Sequence, residues 1–356
     1  MLDFTSALYL GLRHASDDLR PWAQLTTGVP AALAEPRISR EVAAGVAALI
    51  GVEEAALARS TLHAMFDLIP LVASTGSALY MDAGTYPVAR WAAERARGAG
   101  VPLTWFRHRD PAALEQVVRA HARGGLRPVV VTDGLCTGCG GLVPVAAYAQ
   151  IARRHGGQVV VDDTQALGIL GRRTPGGPPL GVGGGGSLRW AGGAAGVTLV
   201  ASLAKGFGAP LAIVAGEAGV LRSYRAGAET RVHSSPPSMA DIHAAARALE
   251  LNASEGDRRR QRLVDVVRGF RRGLQSLRLL GCSLPGPLQR LANGGVDAAE
   301  LHRRLLAAGV RAVLHRSCTG AAQVTFVLTA LHKRADVDAA LRALEWAAGA
   351  SEAIAS

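Results

Sequence analysis

Lys205 sits in the stretch Ser202-Leu203-Ala204-Lys205-Gly206-Phe207-Gly208 and is one of only two lysines, with Lys333, among 39 basic residues. In a chain that uses arginine wherever a cation will serve, a retained lysine points to work a guanidinium cannot do. Arginine stays protonated, whereas a desolvated lysine can lose its proton and form a Schiff base with an aldehyde. That is the chemistry of an enzyme using pyridoxal 5'-phosphate (PLP). Taken alone, the residue also fits a chance survivor on a surface loop. Asp162 follows the apolar run Val159-Val160-Val161, which puts a carboxylate at the carboxyl end of a strand, where open α/β sheets bind ligands. Paired with a pyridine nitrogen, it would keep that nitrogen protonated and the ring an electron sink. The same aspartate could equally cap a turn. Ser202 is placed to donate to a phosphate, and Ser60 and Thr61, at a helix start, offer hydroxyls and backbone N–H groups to the same phosphate. Tyr86, four residues past Asp82, is suited to lie flat on the ring, or else opens a helix half-buried. The five features in this order point to one site more strongly than any of them singly.

Strand and helix signals alternate from about residue 40 to 235, the pattern of an α/β domain with a mainly parallel sheet. Helices are expected over 41–50, from Ser60-Thr61 to about 69, and over 87–97, 111–122 and 144–155. Strands are expected over 78–81, 103–106, 129–132, 159–161, 197–201 and 211–214. The last two flank the lysine loop. Residues 172–196, rich in Gly and Pro, are expected to pack as no regular element. A long helix should run from Pro236-Pro237 to about 280. Beyond it the patterning suggests a smaller α+β domain: helix 298–308, strands 310–314 and 324–328, helix 337–347. The expected division is an N-terminal arm (1–38), a large domain (39–235) and a linking helix with a small domain (236–356).

At 356 residues the chain can bury a sizeable core. No apolar run reaches the ~18 residues of a membrane span, and the start lacks a secretory pattern; a cytoplasmic protein without membrane partners is expected. The formal charge of +11 could suggest nucleic acid, but runs such as Arg258-Arg259-Arg260 and Arg271-Arg272 lie in helical segments with no aromatic-rich basic motif. They read as solvated surface whose field would favour anionic substrates. Four cysteines do not make a disulfide framework. Cys136 and Cys139 form one C-x-x-C without a second pair, and are expected to be reduced loop thiols with no metal, rather than a redox pair or half a metal site.

The sequence resembles the α-oxoamine synthases, fold-type I PLP enzymes, over most of its length. Leu8-Tyr9-Leu10-Gly11-Leu12 is similar to their N-Y-L-G-L opening. Asp133 to Gly141 resembles D/E-G-V-F-S-M-D-G-D, with Thr137 at the serine position. Val161-Asp162-Asp163-Thr164-Gln165-Ala166-Leu167-Gly168 resembles V-D-D-A-H-x-x-G, and Ala201 to Gly208 resembles the lysine motif T-F-G/S-K-G/A-F-G. His233-Ser234-Ser235-Pro236-Pro237 is similar to S-T-x-x-P-P, and Thr329-Ala330-Leu331-His332 to T-A-A-H. The resemblance implies a seven-stranded, mainly parallel sheet and a homodimer in which Ser234 or Ser235 reaches the phosphate of the neighbouring subunit. It implies cofactor-binding roles for Asp133 and Thr137, and decarboxylative condensation of an amino acid with an acyl thioester, on CoA or an acyl carrier protein.

Departures fall on functional positions. The ring-stacking histidine is Tyr86, which keeps an aromatic face but loses an imidazole that titrates near neutrality. The histidine of V-D-D-A-H is Gln165, able to hydrogen-bond the ring hydroxyl. The S-G-Y phosphate cradle reads Ser60-Thr61-Leu62. The carboxylate-gripping arginine is Thr325, which cannot form a bidentate ion pair; Arg316 is the expected substitute. An altered substrate in specialised metabolism follows, with an aminotransferase, decarboxylase or racemase as alternatives. A non-catalytic PLP-fold partner protein is a further one.

Overall fold

Buried runs of Val, Ile and Ala set the central sheet, because β-branched side chains fill the pleated surface on both faces. The computed structural model describes residues 1–122, 124–193, 195–281, 284–292 and 295–349. In chain order the elements are β1 (Leu2–Asp3), α1 (Arg37–Ile50), β2 (Glu54–Ala58), α2 (Thr61–Val72), β3 (Ser77–Asp82), α3 (Pro87–Gly98), β4 (Leu103–Phe106) and α4 (Pro111–Ala122). Next come β5 (Arg127–Asp133), α5 (Val145–Arg154), β6 (Gln158–Asp162), α6 (Gly186–Ala191), β7 (Val197–Ser202), β8 (Ala212–Gly216), α7 (Ala218–Gly227) and α8 (Glu229–His233). The chain then forms α9 (Met239–Ser276), β9 (Leu288–Arg290), α10 (Ala298–Ala307), β10 (Val310–Arg311), β11 (Val313–Arg316), β12 (Ala322–Val327) and α11 (Arg334–Gly349).

Seven strands form the main sheet in the order β2-β8-β7-β6-β5-β3-β4. β7, β6, β5, β3 and β4 run parallel, and β8 lies antiparallel to both β7 and β2. One face packs beneath α2, α3 and α7 through Met65, Leu68, Ala92, Ala93, Leu221 and Tyr224. The other packs against α1, α5 and α9 through Val46, Tyr148, Leu263 and Val267. Both faces are therefore covered, as a parallel sheet requires. A three-stranded antiparallel sheet, β11-β12-β9, with α10 and α11 forms the smaller α+β unit. The N-terminal segment is tied into it: β1 pairs with β10, and Phe4 packs against Phe270 of α9, Phe326 of β12 and His332.

Three expectations need correction. Val310 to Leu314 is not one strand but two, since β10 pairs with β1 while β11 turns to pair with β12. The Gly-rich segment does build structure: α6 lies inside it, and Arg172 and Leu167 make bridges to Val182 and Gly185. Helix α9 supports it, as Asn252 donates to the Gly183 carbonyl and Asp257 accepts from the Gly183 N–H. Arg260 is not solvated surface. It is 2% exposed, and its guanidinium donates to the Gly168 carbonyl, Asn252 and Asp257, so the buried charge is paired as burial demands. Strand β2 was not foreseen, because its Ala-rich run Glu54-Ala55-Ala56-Leu57-Ala58 carries no β-branched side chain.

Candidate active site

The carboxyl ends of β5, β6 and β7 place Asp133, Asp162 and Ser202 along one sheet edge, and Lys205 follows in the turn to β8. A cleft of about 240 Å³ opens there, and Tyr86, Asp133, Thr137, Asp162, Gln165 and Lys205 line it together with Thr61 and Ser202. Val88, Leu135 and Thr164 complete the wall. The lysine turn is pressed close behind: a Cβ on Gly206 would stand 2.6 Å from the Leu167 carbonyl oxygen, so only glycine fits.

The electrostatics suit a group that carries a cation and a carbonyl. Burial pushes the Lys205 ammonium below its usual range, with the Asp162 charge opposing that shift. Burial likewise raises Asp162, against a hydrogen bond from the Thr164 N–H at 3.0 Å. Asp133, opposite Asp162 in the β5–β6 register, is raised by burial and then by the neighbouring carboxylate. Two desolvated acids at one strand edge leave the site short of positive charge, which a protonated pyridine would supply. The residues therefore fit PLP.

Each partner is held from its own side. Tyr86 is the residue before α3, its backbone N–H donating to Asp133 Oδ1 at 3.1 Å, and its ring is 45% exposed at the cleft mouth. Gln165 is oriented from behind: Tyr9 Oη donates to its Oε1, and burial keeps the Tyr9 phenol protonated by pushing its pKa up. That leaves the Gln165 amide NH₂ as the group able to donate into the cleft. Ser202 is fixed by Thr164, whose Oγ1 accepts from the Ser202 N–H at 3.0 Å. Thr164 and Tyr9 are the supporting residues that the sequence reading missed. Thr164 lay inside the V-D-D motif, whereas Tyr9 is joined to its partner only by the fold.

Other expected residues stand elsewhere. Ser60 is the N-cap of α2, its Oγ accepting from the His63 N–H at 3.4 Å and lying 2.8 Å from His63 Nδ1. The Leu62 side chain is exposed, so only its backbone at the α2 N-terminus could serve an anion. Ser234 and Ser235 line a separate small recess with Arg59, Thr230 and Arg231, and Ser234 Oγ donates to the Thr230 carbonyl at 2.6 Å. Arg316 does not line the cleft: its guanidinium donates to the Gly320 carbonyl at 3.1 Å. Thr325 is buried in β12 with Oγ1 2.9 Å from His315 Nε2. His315 also meets Gln323, whose amide donates to the Gly138 carbonyl. The small antiparallel sheet is thus knitted to itself and, through Gln323, to Gly138.

A family model described as aminotransferase class I and II matches residues 23–344. The 8-amino-7-oxononanoate synthase of Nitrosococcus oceani is 34% identical over 253 residues, covering 69% of this chain and 63% of that protein. The enzyme of the same name from Thioalkalivibrio sulfidiphilus is 30% identical over 318 residues, covering 88% and 73%. The matched region thus spans slightly less than two thirds of some of these relatives, such as the one from Nitrosococcus oceani. Among solved structures, Sphingomonas wittichii serine palmitoyltransferase superposes with a TM-score of 0.85 at 18% identity, over 99% of this chain and 88% of that one. Serine palmitoyltransferase from S. paucimobilis with a bound PLP–myriocin aldimine gives 0.82 at 17%, over 98% and 87%. These superpositions establish a fold-type I transferase fold. With that fold, the family match and the curated relatives in agreement, the chain belongs to the aminotransferase class I and II family, in its α-oxoamine synthase branch.

Proposed function

We propose that this chain is a PLP-dependent acyltransferase that condenses an amino acid with an acyl thioester, acting as a cytoplasmic homodimer. The observation that carries the reading is the desolvated Lys205 in one cleft with the buried Asp162. When bound, PLP supplies an electron sink for negative charge developing at the amino acid's Cα. Lys205 is the group placed to anchor the cofactor and to move a proton at Cα, because burial favours its neutral form. Asp162 would hold a cationic ring nitrogen by charge, and the Gln165 NH₂ would be free to donate to the ring oxygen. Tyr86 would cover the ring face, while Ser202, Thr61 and the α2 N-terminus would receive the phosphate. In the net reaction the amino acid loses its carboxylate as CO₂ and a new bond joins Cα to the acyl carbon. The C–S bond of the thioester breaks, and the departing thiolate takes up a proton.

Ser234 and Ser235, outside their own chain's cleft, are read as the contribution to the neighbouring subunit's site. The buried Thr325 and outward Arg316 support a substrate different from those of relatives that grip a free carboxylate with arginine. The deciding experiment incubates the PLP-loaded protein with a panel of amino acids, with and without acyl-CoA or acyl carrier protein thioesters. Thioester-dependent release of free thiol together with CO₂ supports condensation. A keto acid formed without thioester would establish the aminotransferase alternative instead.

A further inference from the structure

Directly behind the cleft, four metal-ligating side chains from three separate parts of the chain converge. His108 follows β4, Cys136 and Cys139 flank Thr137 in the loop after β5, and Cys318 lies in the turn between β11 and β12. Their donor atoms all lie within 4.8 Å of one another. We propose that His108, Cys136, Cys139 and Cys318 form a closed Cys₃His site for a structural Zn²⁺ that clasps the small domain to the loop carrying Thr137.

The donor set is the soft, tetrahedral kind that zinc favours, with Zn–S of about 2.3 Å and Zn–N of about 2.0 Å implying donor–donor edges of about 3.5–3.8 Å. The Cys139 Sγ to His108 Nε2 separation is already 3.5 Å. The histidine is also set for ligation. Its Nδ1 donates to Asp82 Oδ1 at 2.5 Å, which turns Nε2 toward the sulfurs. A carboxylate behind a ligating imidazole is the usual second support of such sites. Asp82 is itself fixed by Tyr148 Oη at 3.1 Å, Thr132 Oγ1 at 3.3 Å and the Gly84 N–H at 2.8 Å.

The backbone is shaped to the same end. The Cys136–Cys139 loop is a tight knuckle, with the Gly140 N–H donating to the Cys136 carbonyl at 2.9 Å and the Cys136 N–H to Gly141 at 3.0 Å. A Cβ on Gly138 would stand 2.5 Å from the Cys318 backbone nitrogen, so glycine there permits the close approach of the small-domain turn. All three described cysteines are free, and with four protein donors no position is left for substrate, so the ion is structural rather than catalytic. Cys136 and Cys139 looked solitary in sequence because their partners lie far away along the chain.

The test uses the full-length protein. After chelator treatment and dialysis it is titrated with Zn²⁺ alone, then with Co²⁺ as a spectroscopic probe. One tight equivalent per chain is expected, with thiolate-to-cobalt charge-transfer absorption. Zinc should protect three of the four thiols from a thiol reagent and raise the melting temperature. Cys318→Ser, on the partly exposed turn, should weaken zinc binding at least tenfold while the chain still folds, and Cys282→Ser should leave it unchanged. Absence of a stoichiometric site, loss of binding in Cys282→Ser, or a Cys136–Cys139 disulfide in freshly purified protein would each overturn the proposal.

Discussion

The main sheet and the small three-stranded sheet differ in how much of the expected chemistry they keep. The main sheet carries Asp133, Asp162 and Ser202 at successive strand ends, with Lys205 in the turn that follows, the residue types that PLP chemistry asks for. On the small-domain side, Thr325 is buried against His315 and Gln323, and Arg316 points to its own turn. Groups that hold a shared cofactor are constrained by that cofactor, whereas groups that hold a substrate change with it. That contrast is the ground for the proposal of a kept reaction class with a changed substrate.

The largest effect should come from the main-sheet residues. Lys205→Arg keeps a cation but removes the transferable proton and the amine nucleophile. Turnover should fall by at least about 10²–10⁴-fold, the range for a positioned acid–base group, with an unchanged circular-dichroism melt. Equal loss of turnover on both sides would erase the distinction, so Thr325→Arg in β12 is the matching change. Its guanidinium would enter a buried strand position and cost about 3–5 kcal/mol as an unpaired buried charge. Denaturant titration should show that loss, and kinetics should show no gain in affinity for simple amino acids. Restored binding of a free amino acid carboxylate would mean that position 325 can still serve the site.

Behind the cofactor wall, burial raises Asp163 to about 7. Its folded value lies above its ordinary one, so it costs nothing below about pH 4, destabilises progressively as pH rises from about 4 to 7, and adds no further loss above, a few kcal/mol at order of magnitude. Melting temperature should therefore fall between about pH 4 and 7 and level off above, and Asp163→Asn should flatten that slope. A slope unchanged in the variant would assign the effect to Asp133 and Asp162 alone. Smaller still, Tyr86→Ala removes ring stacking worth about 0.5–1.5 kcal/mol, so PLP affinity measured by fluorescence quenching should weaken roughly twofold to tenfold. Tyr86→Phe should retain it. The Tyr9–Gln165 hydrogen bond is worth about 1 kcal/mol net, and Tyr9→Phe should lower stability by about that amount in denaturant titration.

Much of this was legible in the sequence where the determinants are local. Lys205, Asp162 and Ser202 each sit at the end of an apolar run, so strand position and chemistry are written in a few adjacent residues. Tyr86 announces itself by the Pro87 that opens α3. What could not be read depends on the fold. Tyr9 meets Gln165 and Arg260 meets Gly168 only after the N-terminal segment and α9 have packed. Arg260 resembled its surface neighbours because helical spacing alone does not say which face is covered. Likewise Arg316 looked like a substitute for Thr325, but the hairpin between β11 and β12 turns its side chain back to Gly320.

The central claim is that Lys205 anchors the cofactor, and the scarcity of lysine makes it directly measurable. The full-length protein is incubated with PLP, scanned from 300 to about 500 nm as is usual for a lysine Schiff base, reduced with borohydride, digested and mapped by mass spectrometry. The account predicts a near-visible band that borohydride removes, and a single reduced adduct on the peptide containing Lys205. A band that survives in Lys205→Ala, or an adduct on Lys333 or the terminal amine instead, would contradict it.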